Sequence, residues 1–178
     1  MSILEITQAV ANFGARHVVV TGGEPMIAPE IIALTCQLKS ARLHITIETA
    51  GTVYAPVACD LMSVSPKLSN SIPVLRDGGR WAAQHERLRY QPDVLRRLST
   101  EYEHQFKFVI AESGDMEEVN DTVREIGISP DRVVLMPEGV SRDVLQTRGL
   151  WLAEICKARG YRFSPRLHVD LWGDKRGV

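Results

Sequence analysis

Val18-Val19-Val20 runs directly into Thr21-Gly22-Gly23-Glu24-Pro25, and this junction constrains the fold more than any other stretch. Three successive β-branched residues predict a strand buried on both faces, as in a parallel sheet. The two glycines let the backbone turn sharply and bring its N–H and C=O groups close to a ligand, because no Cβ stands in the way. In α/β sheets, ligands collect at the carboxyl ends of the strands. A glycine pair followed by an acid at that point suits a ligand carrying a cationic amine, with Glu24 supplying charge and the loop carbonyls supplying acceptors. The plain alternative is a strand-to-helix turn with a solvated glutamate.

The rest of the chain repeats the pattern. Ser2 and Glu5 have the form of a capping box, Ile3, Ile6, Val10 and Phe13 recur at helical spacing, and Gly14 is suited to end that helix. Pro29 is expected as a first helical residue, with Ile31, Ile32, Leu34 and Leu38 as the apolar stripe and Cys36 as a small core or boundary residue. His44–Glu48 is a strand ending on Thr49-Ala50-Gly51-Thr52, and Leu61–Val64 is a strand closed by Ser65-Pro66-Lys67. No helix fits between these two, and the connection through Pro56 is short for a crossover. Three consecutive strands thus end in polar loops on one sheet edge.

Residues 68–79 read as a loop and residues 81–98 as basic and helical, with Pro92 at a helix start. The arginines there, Arg87, Arg89, Arg96 and Arg97, read as a solvated face, with phosphate or acid binding as the alternative. Gln105–Ile110 and Val133–Met136 are further strands. Asp115 with Glu118 is expected to cap the helix after the first of them, and Ser141 to cap a long helix ending at Gly160. Residues 161–172 are expected as a last strand, with Pro165 near its start, and residues 173–178 as a polar tail. The alternation predicts one α/β domain over residues 1–178, with a mostly parallel sheet curled into a partial, open (β/α) barrel.

Composition narrows the class. The 178 residues carry 21 Lys plus Arg against 22 Asp plus Glu, so no overall field recruits nucleic acid or a membrane. Hydrophobic content of 44% and charged content of 24% are ordinary for a globular protein. Cys36, Cys59 and Cys156 are few and far apart, which argues against a disulfide framework and for a cytoplasmic setting. No apolar run reaches spanning length, and Met1 opens no signal-peptide pattern. The histidines, His17, His44, His85, His104 and His168, show no metal-ligand spacing.

Val20-Thr21-Gly22-Gly23-Glu24-Pro25 resembles the glycine-rich motif of radical S-adenosylmethionine (SAM) enzymes. Together with Glu48-Thr49-Ala50-Gly51-Thr52, Val64-Ser65-Pro66-Lys67-Leu68-Ser69 and Pro165-Arg166-Leu167-His168, it resembles the 7-carboxy-7-deazaguanine synthase family along essentially the whole chain. The resemblance implies SAM held against a 4Fe-4S cluster and cleaved to a 5′-deoxyadenosyl radical. It further implies a Mg²⁺-assisted ring contraction of 6-carboxy-5,6,7,8-tetrahydropterin to 7-carboxy-7-deazaguanine, a precursor of queuosine. By position, Thr21 matches a substrate contact, and Gly23, Ser65, Pro66 and Lys67 match SAM contacts; the chemistry of the loop adds Gly22 and Glu24 for the methionyl amine, and Glu48 is a further candidate SAM contact. No residue is assigned a catalytic or metal-ligating role.

The sequence departs from the family where the chemistry is most demanding. The family's cluster motif, CxxxCxxC, lies before the Gly-Gly-Glu-Pro strand, and this chain has none. Its three cysteines are expected not to substitute, and Ala50 stands where the family usually has Asn. The expectation is therefore a radical SAM lyase truncated at its N-terminus, without its first strand, cluster ligands and magnesium ligand, and unable to turn over as written. An uncovered sheet edge should leave it marginal or dependent on a partner. The second possibility is a cluster-free nucleoside-binding or subunit-like relative. The sequence does not fix the oligomeric state; related enzymes commonly pair as dimers, so a homodimer is a candidate assembly, and for the full-length enzyme an electron donor such as flavodoxin is expected. Arg166 could pair with a substrate carboxylate or form a structural salt bridge, beside His168.

Overall fold

In a computed structural model of the protein, which describes residues 1–72 and 79–175, the elements follow in the order α1 (Ile3–Asn12), β1 (His17–Val20), α2 (Ile31–Ser40), β2 (His44–Thr49), β3 (Leu61–Val64), α3 (Ala82–Arg89), α4 (Pro92–Glu101), β4 (His104–Ile110), α5 (Asp115–Ile126), β5 (Val133–Pro137), α6 (Arg142–Arg159), β6 (Arg162–Phe163) and α7 (Leu167–Trp172). They gather into two compact units, Met1–Ser65 with Gln91–Gln105 and Pro66–Tyr90 with Phe106–Val178. Parts of the expected loop after Leu68 and of the polar tail lie outside the described residues.

In the first unit β1, β2 and β3 are parallel, with Val20 beside Ile47 and Thr49 beside Val64. Ile45, Ile47, Met62 and Val64 are fully buried together with Leu38 of α2 and Leu95 and Leu98 of α4. Alternation sends Ile45 and Ile47 to one face of the sheet. The start of β4 joins this unit: the Met62 N–H donates to the Glu103 carbonyl at 2.8 Å, and Gln105 Nε2 donates to Ser63 Oγ at 3.0 Å. The capping box forms as expected, Ser2 Oγ accepting from the Glu5 N–H and the Glu5 carboxylate accepting from the Ser2 N–H.

Several expectations are corrected here. β1 is not buried on both faces: it alternates between exposed and half-buried, and Val19 is 56% exposed. Among the described residues it pairs with β2 alone, and α1 places no residue fully in the core, leaving Leu4 and Phe13 in solvent. That is the uncovered flank a free parallel edge produces. Pro29 precedes α2 rather than opening it, Pro25 instead starting a 3₁₀ turn (Pro25–Ile27). Cys36 is exposed rather than in the core, because Ile31, Thr35 and Leu38 form the buried stripe of α2.

In the second unit β4, β5 and β6 are parallel, Phe108 pairing with Leu135 and Leu135 with Phe163. Phe106, Phe108, Ile110, Val133 and Leu135 are fully buried, with Val119 of α5 and Leu152 of α6 packed among them. The expected last strand is mostly wrong. Only Arg162–Phe163 is strand, and Leu167–Trp172 is helix with Val169 buried. Pro165 lacks the N–H a ladder needs, and the chain turns there. The capping roles also change. Gly114 is the N-cap of α5, and Asp115 Oδ2 reaches back to accept from the N–H groups of Ala111 and Glu112. Ser141 occupies the N-cap of α6 without a side-chain bond. Among the described residues no helix is long and apolar enough to cross a membrane.

Candidate functional site

The polar chemistry of the first unit lies along the carboxyl ends of β1, β2 and β3. Gly22 has φ +150°, a conformation that L side chains rarely adopt. Gly23 has no such constraint, and a Cβ built there meets nothing within 4 Å. The fold therefore explains the first glycine and not the second.

Glu24 is the hinge of the site. One carboxylate oxygen accepts from the Met26 N–H at 3.1 Å and from Thr49 Oγ1 at 2.7 Å. The other accepts from the Ala50 N–H at 2.9 Å. Thr49, buried at the end of β2, passes the bonding on: its Oγ1 accepts from the Gly51 N–H at 2.9 Å and its carbonyl from the Ser65 N–H at 2.7 Å. A single carboxylate thus ties the tip of β1 to that of β2, and Thr49 ties β2 to β3. Because such bonds to an ionised acceptor are stronger than neutral ones, the tips are held in fixed register. Gly51 completes the packing at φ +71°, where a Cβ would fall 2.4 Å from Leu95 Cδ2 and 2.8 Å from Val64 Cγ1.

Thr21, Gly22 and Gly23 are exposed along this edge, and Glu24, Glu48 and Ser65 are half-buried. The structure therefore brings six of the expected residues to one edge of one unit. Pro66, buried, and Lys67, exposed, continue the chain into the second unit. Thr49 was not singled out from the sequence. Its signal was present, since a threonine at a strand end before Ala-Gly is placed to bond backbone on both sides. Ala50, the residue that departs from the family, contributes its backbone N–H.

The arginines divide. Arg96 and Arg97 make exposed helix pairs with Asp93 and Glu101. Arg89 is not solvated: its side chain is 11% exposed and it bonds Glu86, Glu118 and the Lys67 carbonyl. Arg166 Nη1 donates to the Gly139 carbonyl at 3.0 Å, while its Nε is buried without a partner among the described residues. His168 is exposed on α7 rather than in a strand. A cavity of about 480 Å³ in the second unit is lined by Leu145, Leu150, Phe163, Pro165 and Arg166 among others.

The cysteines do not suit an iron–sulfur cluster. Cys36 is on the outside of α2, Cys59 in the loop before β3 and Cys156 in the core side of α6. Burial, reinforced by the neighbouring Asp60 carboxylate, pushes the Cys59 thiol up to about 11, and burial also raises that of Cys156. A cluster requires thiolates. Among the described residues no group of three or more His, Cys, Asp or Glu side chains converges to hold a metal ion, so Mg²⁺ finds no ready set of ligands either.

No family model matches the chain. A 7-carboxy-7-deazaguanine synthase of Rhodopirellula baltica is 41% identical across 99% of this chain and 69% of its own length. The synthase of Halobacterium salinarum is 38% identical across 98% of this chain and 72% of its own. Among solved structures, Streptococcus suis SuiB bound to S-adenosylmethionine superposes with a TM-score of 0.62 at 15% identity, covering 90% of this chain. The chain spans 40% of SuiB. That likeness supports the fold, in agreement with the partial, open barrel expected from the sequence.

Proposed function

Because the chain belongs to the family of 7-carboxy-7-deazaguanine synthases, we propose that the strand tips of its first unit hold SAM for the family's ring contraction of 6-carboxy-5,6,7,8-tetrahydropterin. The observation that carries the reading is the alignment of Thr21–Glu24, Glu48 and Ser65 on one edge, locked by the Glu24 carboxylate. The carbonyls of the Gly22-Gly23 loop would take the ammonium of the methionyl group. Glu24 already accepts three bonds, so its part is to hold that loop and to contribute negative charge nearby. Glu48 and Ser65 offer acceptors and a hydroxyl to the ribose. Pro66 and Lys67 enter as SAM contacts by their match to the family's motif, the lysine offering a cation suited to the carboxylate. Thr21 would face the pterin.

SAM and, in the family, a 4Fe-4S cluster and Mg²⁺ belong to this chemistry, but the cysteines and carboxylates described above fit neither metal group. The proposal for this chain therefore concerns binding and orientation. A cytoplasmic location, a homodimer and an external electron donor such as flavodoxin belong to the same reading. The positions of the three thiols support a second reading, a nucleoside-binding relative that works without a cluster.

The test is a calorimetric titration of the chain with SAM or S-adenosylhomocysteine. Saturable one-to-one binding, weakened about tenfold by Lys67→Ala, is expected, the loss of one charge-assisted contact. Absence of saturable heat overturns both readings. Anaerobic reconstitution with iron and sulfide then separates them: absorbance of a 4Fe-4S cluster would eliminate the second.

A further inference from the structure

The amino ends of β1 and β2, at the rim of the first unit opposite its strand tips, bring two histidines together. His17 and His44 lie far apart in the sequence, and no spacing links them. The parallel register does: each opens its strand, and each is the other's direct partner. Registered partners in a parallel pair point to the same side, so both rings project from the face opposite Ile45 and Ile47. Their centroids lie 5.0 Å apart with the planes tilted by 45°. Both residues are exposed, and among the described residues neither ring hydrogen-bonds another group. The backbone beneath them is tied, the His44 N–H donating to the Arg16 carbonyl at 2.9 Å.

This separation is that of two imidazoles on one ion. With Zn–N bonds of about 2.0–2.1 Å and about 1.2 Å from ring nitrogen to centroid, a tetrahedral angle sets two centroids about 5.2 Å apart. A right angle at the metal would set them about 4.5 Å apart, and the observed spacing falls between the two. Imidazole nitrogen suits zinc, nickel and copper, whereas magnesium and calcium take oxygen. Two ligands on paired strands also bind together far more tightly than either does alone. Asp60 lies within electrostatic reach of His44, but its two oxygens are taken by Lys39 Nζ and the Ile45 N–H. The pair therefore stands short of the three or more ligands of a closed site, none of which forms among the described residues.

We propose that His17 and His44 form a two-histidine site for a divalent transition-metal ion of the zinc class, with water in its remaining positions. The site stands apart from the strand tips assigned to SAM and does not depend on that assignment. An ion held there clasps β1 to β2, the one strand with which it pairs among the described residues.

The experiment titrates zinc chloride into the full chain by calorimetry and follows melting with and without zinc. Wild type is compared with His17→Gln, His44→Gln and the double variant. Cys36→Ser is the control, because its exposed thiol is a rival zinc ligand in the same unit. One ion per chain is expected, bound about a hundredfold more weakly by either single variant, which has lost the chelate. The double variant should be little worse than either single one, because the two histidines act as a unit. Zinc should raise the melting temperature of wild type and of Cys36→Ser and leave the histidine variants unmoved. Without zinc all variants should melt within about 2 °C of wild type, as expected of exposed positions.

Zinc that binds the histidine variants as tightly as wild type, or is lost with Cys36→Ser, would overturn the proposal. So would wild-type protein that takes up no zinc at concentrations up to about 1 mM. Nuclear magnetic resonance of the wild type keeps the ligand role apart from any effect of substitution on folding. The imidazole C–H resonances of His17 and His44 should shift with zinc while those of His85, His104 and His168 stay in place. Shifts confined to the other three histidines would overturn the assignment whatever the stability of the variants.

Discussion

Val18-Val19-Val20 of β1 and Val133-Val134-Leu135 of β5 are almost the same word in sequence, and both become parallel strands. Their surroundings differ. Val19 is 56% exposed, whereas Val133 and Leu135 are 0% exposed. β5 has β4 on one side and β6 on the other, with Leu145, Leu152 and Cys156 of α6 buried in the same unit. Among the described residues β1 has β2 alone, and α1 leaves its apolar residues partly in water. An apolar run therefore specifies a strand but not how many of its faces are covered. Coverage depends on elements far away in sequence.

The sharpest way to break that comparison is a pair of truncations read by urea unfolding. Leu135→Ala should cost about 2–5 kcal/mol, since it deletes fully buried atoms and leaves a cavity. Val19→Ala should cost under about 1 kcal/mol, as expected for a surface position. Equal losses would mean that β1 is covered in solution, by a second copy or another partner.

The two units differ at their edges, but the tips of the first unit can be compared among themselves. Gly51→Ala is expected to cost about 1–3 kcal/mol or more, because it adds a Cβ at a strained φ and drives it into Leu95 and Val64. Gly23→Ala has open space around it, so its unfolding should match wild type within about 0.5 kcal/mol. If the loop accepts a ligand by close backbone approach, the same substitution should weaken S-adenosylhomocysteine about tenfold. Calorimetry and melting on the two variants separate a glycine kept for the fold from one kept for the ligand. A Gly23→Ala variant that binds normally would remove Gly23 from the site.

Much of this could be read in advance, for definable reasons. Five of the six strands, the helix-free passage from β2 to β3 and the capping box of α1 depend on local chemistry, and local chemistry is in the sequence. The gathering of Thr21, Gly22, Gly23, Glu24, Glu48 and Ser65 on one edge followed from parallel topology. What could not be read depends on partners distant along the chain. Glu118 has the spacing of a capping residue, yet Ser69, 49 residues away, takes its carboxylate. Arg89 looks like one of several arginines on a solvated helix until the Lys67 carbonyl lies beneath it. Glu24 offers a charge in sequence, whereas Thr49 and Ala50 have already taken up much of it. The strand expected after Tyr161 failed because Pro165 ends it and Val169 finds a core position by turning into a helix.

The smallest expected effect concerns two acids, each set just before a strand. Asp60 precedes β3 and bonds across the first unit: its carboxylate accepts from Lys39 Nζ and, at 2.8 Å, from the Ile45 N–H of β2. Asp131 precedes β5 and, among the described residues, accepts from Ser129 and pairs with the adjacent Arg132, both within its own turn. Both carboxyls are held below their ordinary range, Asp60 by the Lys39 hydrogen bond first and the Ile45 N–H second, Asp131 by the Ser129 hydroxyl. A carboxylate lowered by folding stabilises the protein above its unfolded pKa of about 3.9 and ceases to as pH falls through the lower folded value. Stability should therefore drop on acidification below about pH 4, and Asp60→Asn should flatten that limb in urea titrations at successive pH values. Asp131→Asn should flatten it less, because losing a bond within one turn releases no neighbouring strand. Equal flattening would show that the tie from Asp60 to β2 adds nothing beyond local bonding, and the contrast between the two strand entries would then fail.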